Sequence, residues 1–246
     1  MKRQNVYDNP TFFEGYTALR ENPANYNRLL EQPAIFSMLP PMEGLRVLDL
    51  GCGFGDGCAE YLARGAAEVV GVDLSEKMLR LAAQRHGELP VTFHRMDMTG
   101  IGSLPGRFDL VVSSLAVHYV GDFDRLAEAV AGKLRTGGWF VFSQEHPLTT
   151  APKSWLGFET DEAGRPLFYR LSDYSVGGRR TDEWFDTRVE KYHRTFSEIV
   201  NTLTGVGFQL EQMDEPVPDE EALRCCPEME KEFHKPSFLL IRARKG

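Results

Sequence analysis

Val47-Leu48-Asp49-Leu50-Gly51-Cys52-Gly53-Phe54-Gly55-Asp56-Gly57 is the stretch that decides how this chain folds. Val47, Leu48 and Leu50 form a short apolar run, as a strand buried in a parallel sheet would. Glycine then stands at every second position from Gly51 to Gly57. A turn with so few side chains lets a ligand lie directly on the backbone. Sixteen residues past Gly57, a second apolar run, Val69-Val70-Gly71-Val72, ends in Asp73. A carboxylate at the tip of a second strand is placed to grip the two hydroxyls of a ribose. Together these residues describe a site for an adenosine-containing cofactor.

The loop also says which cofactor does not fit. A dinucleotide fingerprint requires G-x-G-x-x-G. Here the spacing is G-x-G-x-G, and Asp56 stands where the last glycine would be. Asp49 and Asp56 flank the loop and would repel a pyrophosphate, which seeks bare amides and positive charge. They suit a ligand with an ammonium or sulfonium group.

Outward from the loop, strand patterns fall near 45–50, 67–73, 91–96, 108–113 and 138–144, with helices near 56–64, 75–86 and 122–134. Such alternation predicts an α/β, doubly wound sheet with helices on both faces. Residues 1–42 are rich in aromatics, and Tyr16 to Leu30 reads as helix in pieces, broken near Pro23. Residues 147–191 break the rhythm with Gly and Pro between large aromatics, including Trp155 and Trp184. They read as an ordered, irregular insertion. Residues 196–205 read as a helix, 207–213 and 236–243 as strands, and the acidic Pro216–Pro227 as a surface loop.

On these residues the chain resembles the class I S-adenosylmethionine-dependent methyltransferases. The resemblance rests on Val47–Gly55, Val69–Ser75, Met96-Asp97-Met98, Phe108–Tyr119 and Leu134–Phe142. It covers residues 43–146 and, more loosely, 192–243. It is closest to bacterial small-molecule methyltransferases with a Tyr-His-Arg-Thr segment before the last helix, here Tyr192–Thr195. The resemblance implies a Rossmann-like sheet of about seven strands, mostly parallel with an antiparallel C-terminal strand. It implies S-adenosylmethionine as cofactor and methyl transfer to a small-molecule acceptor. The chain 1–246 then reads as a single domain: an N-terminal helical lid (1–42), a cofactor-binding core (43–146), a cap insertion (147–191) and a C-terminal part (192–246) completing the sheet.

Ligands of open α/β sheets bind outside the carboxyl ends of the strands, and that rule selects the candidates. After the first strand, beside Asp49, the backbone of Gly51, Cys52 and Gly53 is expected to face the cofactor's methionine part. Asp73 is expected to hold the ribose. Capping the next helix is its alternative, though Ser75 already fits that role. Leu74 and Met78 offer an apolar wall for adenine, while core packing explains Met78 nearly as well. The family implies that Asp97 accepts from the adenine amino group and that the Met98 backbone meets the ring. Capping a turn is the alternative for Asp97. The family places Ser113-Ser114-Leu115-Ala116-Val117-His118-Tyr119 beside the transferred methyl. This is not the Asn/Asp-Pro-Pro-Tyr motif of enzymes that methylate base amino groups.

Three histidines are candidate bases: His118, packed or catalytic; His146, in a Glu-His pair or a loop start; and His193, on the resemblance. Thr195 or Ser197 would cap the following helix, with Glu198 at capping-box spacing. Tyr7 and Tyr16 could form a lid over the sulfonium, or simply pack. Arg20 or Arg28 could pair with the cofactor's carboxylate, or be solvated. Methyl transfer asks mainly for positioning and a deprotonated acceptor, so the family has no single diagnostic catalytic residue.

Composition narrows the partners. The 246 residues carry a net charge of −8, so no basic face for nucleic acid is expected. Arg179-Arg180 and Arg242–Lys245 are short and read as ordinary solvated charge. No apolar run approaches the ~20 residues of a membrane span. The first residues lack the apolar stretch of a signal peptide. Four cysteines without a C-x-x-C pair indicate no metal site and a reduced, cytoplasmic setting. Competing readings are a nicotinamide oxidoreductase, whose fingerprint is missing, a non-catalytic binder of S-adenosylmethionine or its demethylated product, and a methyltransferase acting on a macromolecule.

Overall fold

A computed structural model describes residues 4–154 and 157–246. Helix α1 (Pro10–Glu21) starts where the Asn9 side chain accepts from the Phe12 amide. A single π-helical turn, Asn27–Glu31, runs into α2 (Gln32–Ser37). The central alternation follows: β1 (Arg46–Leu50), α3 (Asp56–Ala63), β2 (Glu68–Asp73), α4 (Glu76–His86), β3 (Val91–Arg95), β4 (Phe108–Ser113), α5 (Phe123–Lys133) and β5 (Leu134–Glu145). Helix α6 (Pro147–Thr150) and the strands β6 (Phe158–Thr160), β7 (Pro166–Tyr169), β8 (Gly178–Trp184) and β9 (Thr187–His193) come next. The chain closes with α7 (Phe196–Gly205), β10 (Phe208–Asp214), α8 (Glu220–Cys225) and β11 (Phe238–Lys245).

Seven strands form one sheet in the order β3-β2-β1-β4-β5-β11-β10. Strands β1 to β5 pair in parallel, and β11 runs antiparallel to both β5 and β10. The parallel strands form the doubly wound sheet that the alternation predicts, and the antiparallel C-terminal strand is the one that the family resemblance implies. Strand β1 lies between β2 and β4, so the chain reverses its winding there. A crevice opens at the carboxyl ends of strands at such a switch point.

Side-chain alternation along β1 feeds two cores. Leu48 and Leu50 join Phe140, Phe142, Leu126 of α5 and Leu203 of α7 on one face. Val47 joins Val69, Leu110, Val141, Tyr61 and the N-terminal Ile35 and Met38 on the other. Fully burying one such aliphatic or aromatic side chain is worth ~1.5–3 kcal/mol, so both layers hold the strand ends in place.

Four expectations are corrected. The 147–191 stretch is not irregular throughout: β6–β7 and β8–β9 are antiparallel hairpins. The acidic 216–227 stretch contains α8, started by Asp219, whose side chain accepts from the Ala222 amide. Arg180 is buried, not solvated, and its Nε donates to the Ala151 carbonyl at 2.9 Å. The last strand begins two residues later than its apolar run suggests, at Phe238. Trp155 lies outside the described residues. Among the described residues, no helix is long and apolar enough to cross a membrane.

Candidate cofactor site

After Leu50 the chain folds back on β2. The amides of Gly51 and Cys52 both donate to the Val72 carbonyl, at 2.8 and 3.0 Å. Gly51 has φ +74°, and a Cβ there would sit 2.5 Å from the Ala116 Cβ. Gly53 has φ +52°, but a Cβ there would meet nothing within 4 Å. One glycine is demanded by packing. The other leaves open space above its backbone.

Asp73 ends β2 beside this turn. Its Oδ2 accepts from the Gly53 amide at 3.0 Å and its Oδ1 from the Ser75 amide at 2.8 Å. A carboxylate offers about four lone-pair sites, so acceptor capacity is left over. Burial raises the Asp73 pKa, and the amides of Ser75 and Gly53 oppose that rise. Ser75 caps α4 by accepting from the Met78 amide at 3.1 Å, so Asp73 does not serve as the cap.

The turn opens into a cavity lined by Arg20, Asp49, Gly53, Asp56, Ser114 and Tyr16, among others. Asp49 is buried, and burial pushes its pKa up to about 7, against the lowering effect of the Cys58 thiol. Arg20 is the only cation on this wall among the described residues; Arg28 does not line it.

Leu74, Met78, Asp97, Met98 and Ser113 are not among the residues lining that cavity. The Leu74 carbonyl accepts from Asn5 Nδ2 at 3.3 Å and Arg95 Nε at 3.2 Å. Met78 is a core residue, 1% exposed. Asp97 caps the 3₁₀ turn Met98–Ser103 through Oδ1, which accepts from the Thr99 amide at 2.7 Å. Met98 packs on the core beneath the turn, and its Cε lies 3.6 Å from where a Gly51 Cβ would be. The Ser113 hydroxyl donates to the Leu50 carbonyl at 2.8 Å and so ties β4 to β1; its neighbour Ser114 faces the cavity.

All three candidate histidines are buried, and each has at least one hydrogen-bonded ring nitrogen. His118 Nδ1 accepts from the Glu145 amide at 3.3 Å, leaving the proton on Nε2, 3.8 Å from Glu145 Oε1. Burial lowers its pKa to about 4. His146 Nδ1 accepts from the Leu148 amide at 3.0 Å, and Nε2 meets Glu215 Oε1 at 2.8 Å. His193 Nδ1 meets the Thr150 hydroxyl at 2.8 Å, and Nε2 donates to the Tyr174 carbonyl at 2.8 Å. Each ring is held by its own partners, His118 in a 3₁₀ turn, His146 just after β5 and His193 at the end of β9.

Comparison with known proteins agrees with this geometry. Residues 47–138 match the methyltransferase domain family. A solved S-adenosylmethionine dependent methyltransferase from Mesorhizobium loti is 42% identical, with TM-score 0.81, covering 87% of this chain and 97% of that one. The chain belongs to the S-adenosylmethionine-dependent methyltransferases. An uncharacterized protein of Haemophilus influenzae is 40% identical over 98% of this chain and 96% of its own length. A ubiquinone biosynthesis O-methyltransferase of Leptothrix cholodnii is 32% identical over 119 residues, and the chain spans about half of that relative, 49%.

The cofactor of this methyltransferase is S-adenosylmethionine, which supplies an electrophilic methyl group on a sulfonium. The residues fit it. Gly53 leaves room above its backbone, Asp73 keeps acceptor capacity, and one cavity carries both Arg20 and Asp49, as a zwitterionic end requires.

Sequence reasoning missed two features at this site. Glu31 is fully buried in the π turn and reaches β4 and β5, accepting from the hydroxyls of Ser114 at 2.8 Å and Ser143 at 2.5 Å. Lys191 of β9 pairs with Glu145 at 2.5 Å and also with Asp182, binding the β8–β9 hairpin to the end of β5. For Glu31 the signal was Asn27, four residues earlier on the same helical face. For Lys191 the signal was hidden, because one partner, Glu145, is 46 residues away and the other, Asp182, lies across a hairpin that the sequence did not announce.

Proposed function

We propose that this enzyme transfers a methyl group from S-adenosylmethionine to a small-molecule acceptor held under the N-terminal segment. In this reading residues 1–42 act as a lid and 147–191 as a cap. Asp73 holds the ribose hydroxyls, and the Gly51–Gly53 backbone follows the methionine chain. Arg20 takes the carboxylate, and Asp49 faces the ammonium. Leu74, Met78, Asp97 and Met98 lie on the adenine side.

The observation that carries the small acceptor is the closed aromatic wall between α1 and the β8–β9 tip. Tyr7 meets Phe12, Tyr16 and Tyr119 edge-on at 5.0, 5.1 and 6.2 Å. Trp184 meets Phe12 and Tyr16 edge-on at 5.4 and 5.9 Å. Such a wall excludes water and suits a small, partly apolar molecule. Relatives that match about half their length to this chain are named for ubiquinone biosynthesis and for fatty-acid O-methylation, which supports an acceptor of that size.

Positioning does most of the work here. Of the three histidines, His118 has the lightest commitment. To act as base it would exchange only the Glu145 amide at 3.3 Å for the acceptor, or first release the proton on Nε2. His146 and His193 would each give up a hydrogen bond near 3 Å that anchors an adjoining segment.

The experiment is methyl transfer from labelled cofactor to a panel of small phenols and carboxylic acids, run beside RNA and protein fractions. Label in a small molecule supports the reading. Label confined to a macromolecular fraction contradicts it.

A further inference from the structure

Arg20 donates through Nη1 to Asn27 Oδ1. Asn27 Nδ2 donates to Glu31 Oε2 at 2.7 Å. Glu31 Oε1 is held in turn by the Ser114 and Ser143 hydroxyls, at the ends of β4 and β5. This chain of contacts crosses from the wall of the cavity to the middle of the sheet.

The chemistry of each link fixes the next. A carboxylate is an acceptor only, so Glu31 selects the NH₂ edge of Asn27. The amide oxygen of Asn27 must then face the other way, toward Arg20. With its oxygen so placed, Asn27 holds one edge of the guanidinium and leaves the remaining donors of Arg20 for the cavity. Asn27 and Glu31 face each other because they stand one turn apart, and the π turn sets them there.

We infer that Asn27 and Glu31 are positioning residues that aim Arg20 at the carboxylate of the cofactor's amino-acid end, so that this enzyme distinguishes the full cofactor from nucleosides lacking that end. The inference rests on the reading of the cavity as the place of the methionine chain. Arg20 is the only cation on the cavity wall among the described residues, with Asp49 and Asp56 also lining it. Without a fixed Arg20, an anionic group there would meet mainly acids. The link to Ser114 and Ser143 also couples the aim of Arg20 to the strand ends, rather than leaving it to a surface helix.

The test compares two ligands by calorimetric titration: S-adenosylhomocysteine, and 5′-methylthioadenosine, which lacks the amino-acid end. Asn27→Ala carries the test, because Glu31→Ala strips three hydrogen bonds from a buried side chain and endangers the fold. Asn27→Ala is expected to weaken S-adenosylhomocysteine about tenfold and methylthioadenosine less than about twofold. Arg20→Gln is expected to do the same, and the double variant no more than Arg20→Gln alone, since Asn27 acts through Arg20. Equal weakening of both ligands, or additive losses in the double variant, would overturn the inference while leaving the cofactor reading intact. A folded wild-type protein that bound neither ligand would overturn both.

Discussion

The Gly53 amide and the Asp73 carboxylate meet at 3.0 Å, joining the turn after β1 to the tip of β2 across the switch point of the sheet. The bond spans 20 residues of sequence and depends on a backbone shape that Gly53, at φ +52°, adopts freely. It sets the carboxylate and the open face of the turn side by side, which is what a ligand with a diol at one end and a flexible chain at the other needs.

Gly53→Ala separates ligand space from fold. The new Cβ would enter open space, so the cost to the fold is only that of a left-handed alanine, about 1 kcal/mol. S-Adenosylhomocysteine binding is expected to fall by more than about 100-fold, as the methyl takes the place of the ligand. Gly51→Ala is expected to behave oppositely, lowering the thermal midpoint through collision with Ala116. Melting curves and titrations on both variants check this. Equal ligand loss with equal destabilisation would contradict it.

His118 makes stability depend on pH in one direction. Its folded pKa, near 4, lies below the ordinary value of about 6.5, chiefly because the ring is buried. Above about pH 6.5 the ring is neutral in both states and contributes no pH dependence. As the pH falls toward 4, the unfolded chain takes up the proton and the folded chain resists, so stability is lost, by up to roughly 3 kcal/mol. His118→Gln removes this response. Chemical denaturation of both proteins at pH 7 and pH 4.5 checks it, and an unchanged difference between them would contradict a neutral buried ring.

Asp8 fastens the N-terminal segment to the start of α4. Its Oδ1 accepts from the Ser75 hydroxyl at 2.6 Å and the Lys77 amide at 3.1 Å, and Asn5 Nδ2 donates to its Oδ2 at 2.6 Å. Asp8→Ala is expected to speed hydrogen exchange of the Lys77 amide and to weaken S-adenosylhomocysteine by about three- to tenfold, mainly through faster release. Exchange and off-rate identical to wild type would show that the segment does not cover the ligand.

The sheet was legible because its signals are local. The apolar run at Val47–Leu50, the glycines and Asp73 lie within one β-α-β unit, and Ser75 and Thr195 carry their caps three residues on. The β8–β9 hairpin was not legible. Its turn uses Phe185 and Asp186 at φ +50° and +51°, where Gly or Asn would have announced it. Helix α8 did carry a signal, Asp219 followed by acids and Ala222, which the acidic composition masked. The histidines show the deeper difficulty. Whether a ring nitrogen can take a proton depends on what it already binds, and Glu215 lies 69 residues from His146. Glu31 was hidden for the same reason, since Ser114 and Ser143 come from the far ends of two strands.

The most direct test of the account is a calorimetric titration of the protein with S-adenosylhomocysteine, repeated on Asp73→Ala. The account predicts micromolar, one-to-one binding by the wild type and loss of at least about tenfold in the variant, with the sheet still folded. No heat of binding from a folded wild type, or equal affinity in Asp73→Ala, would contradict it.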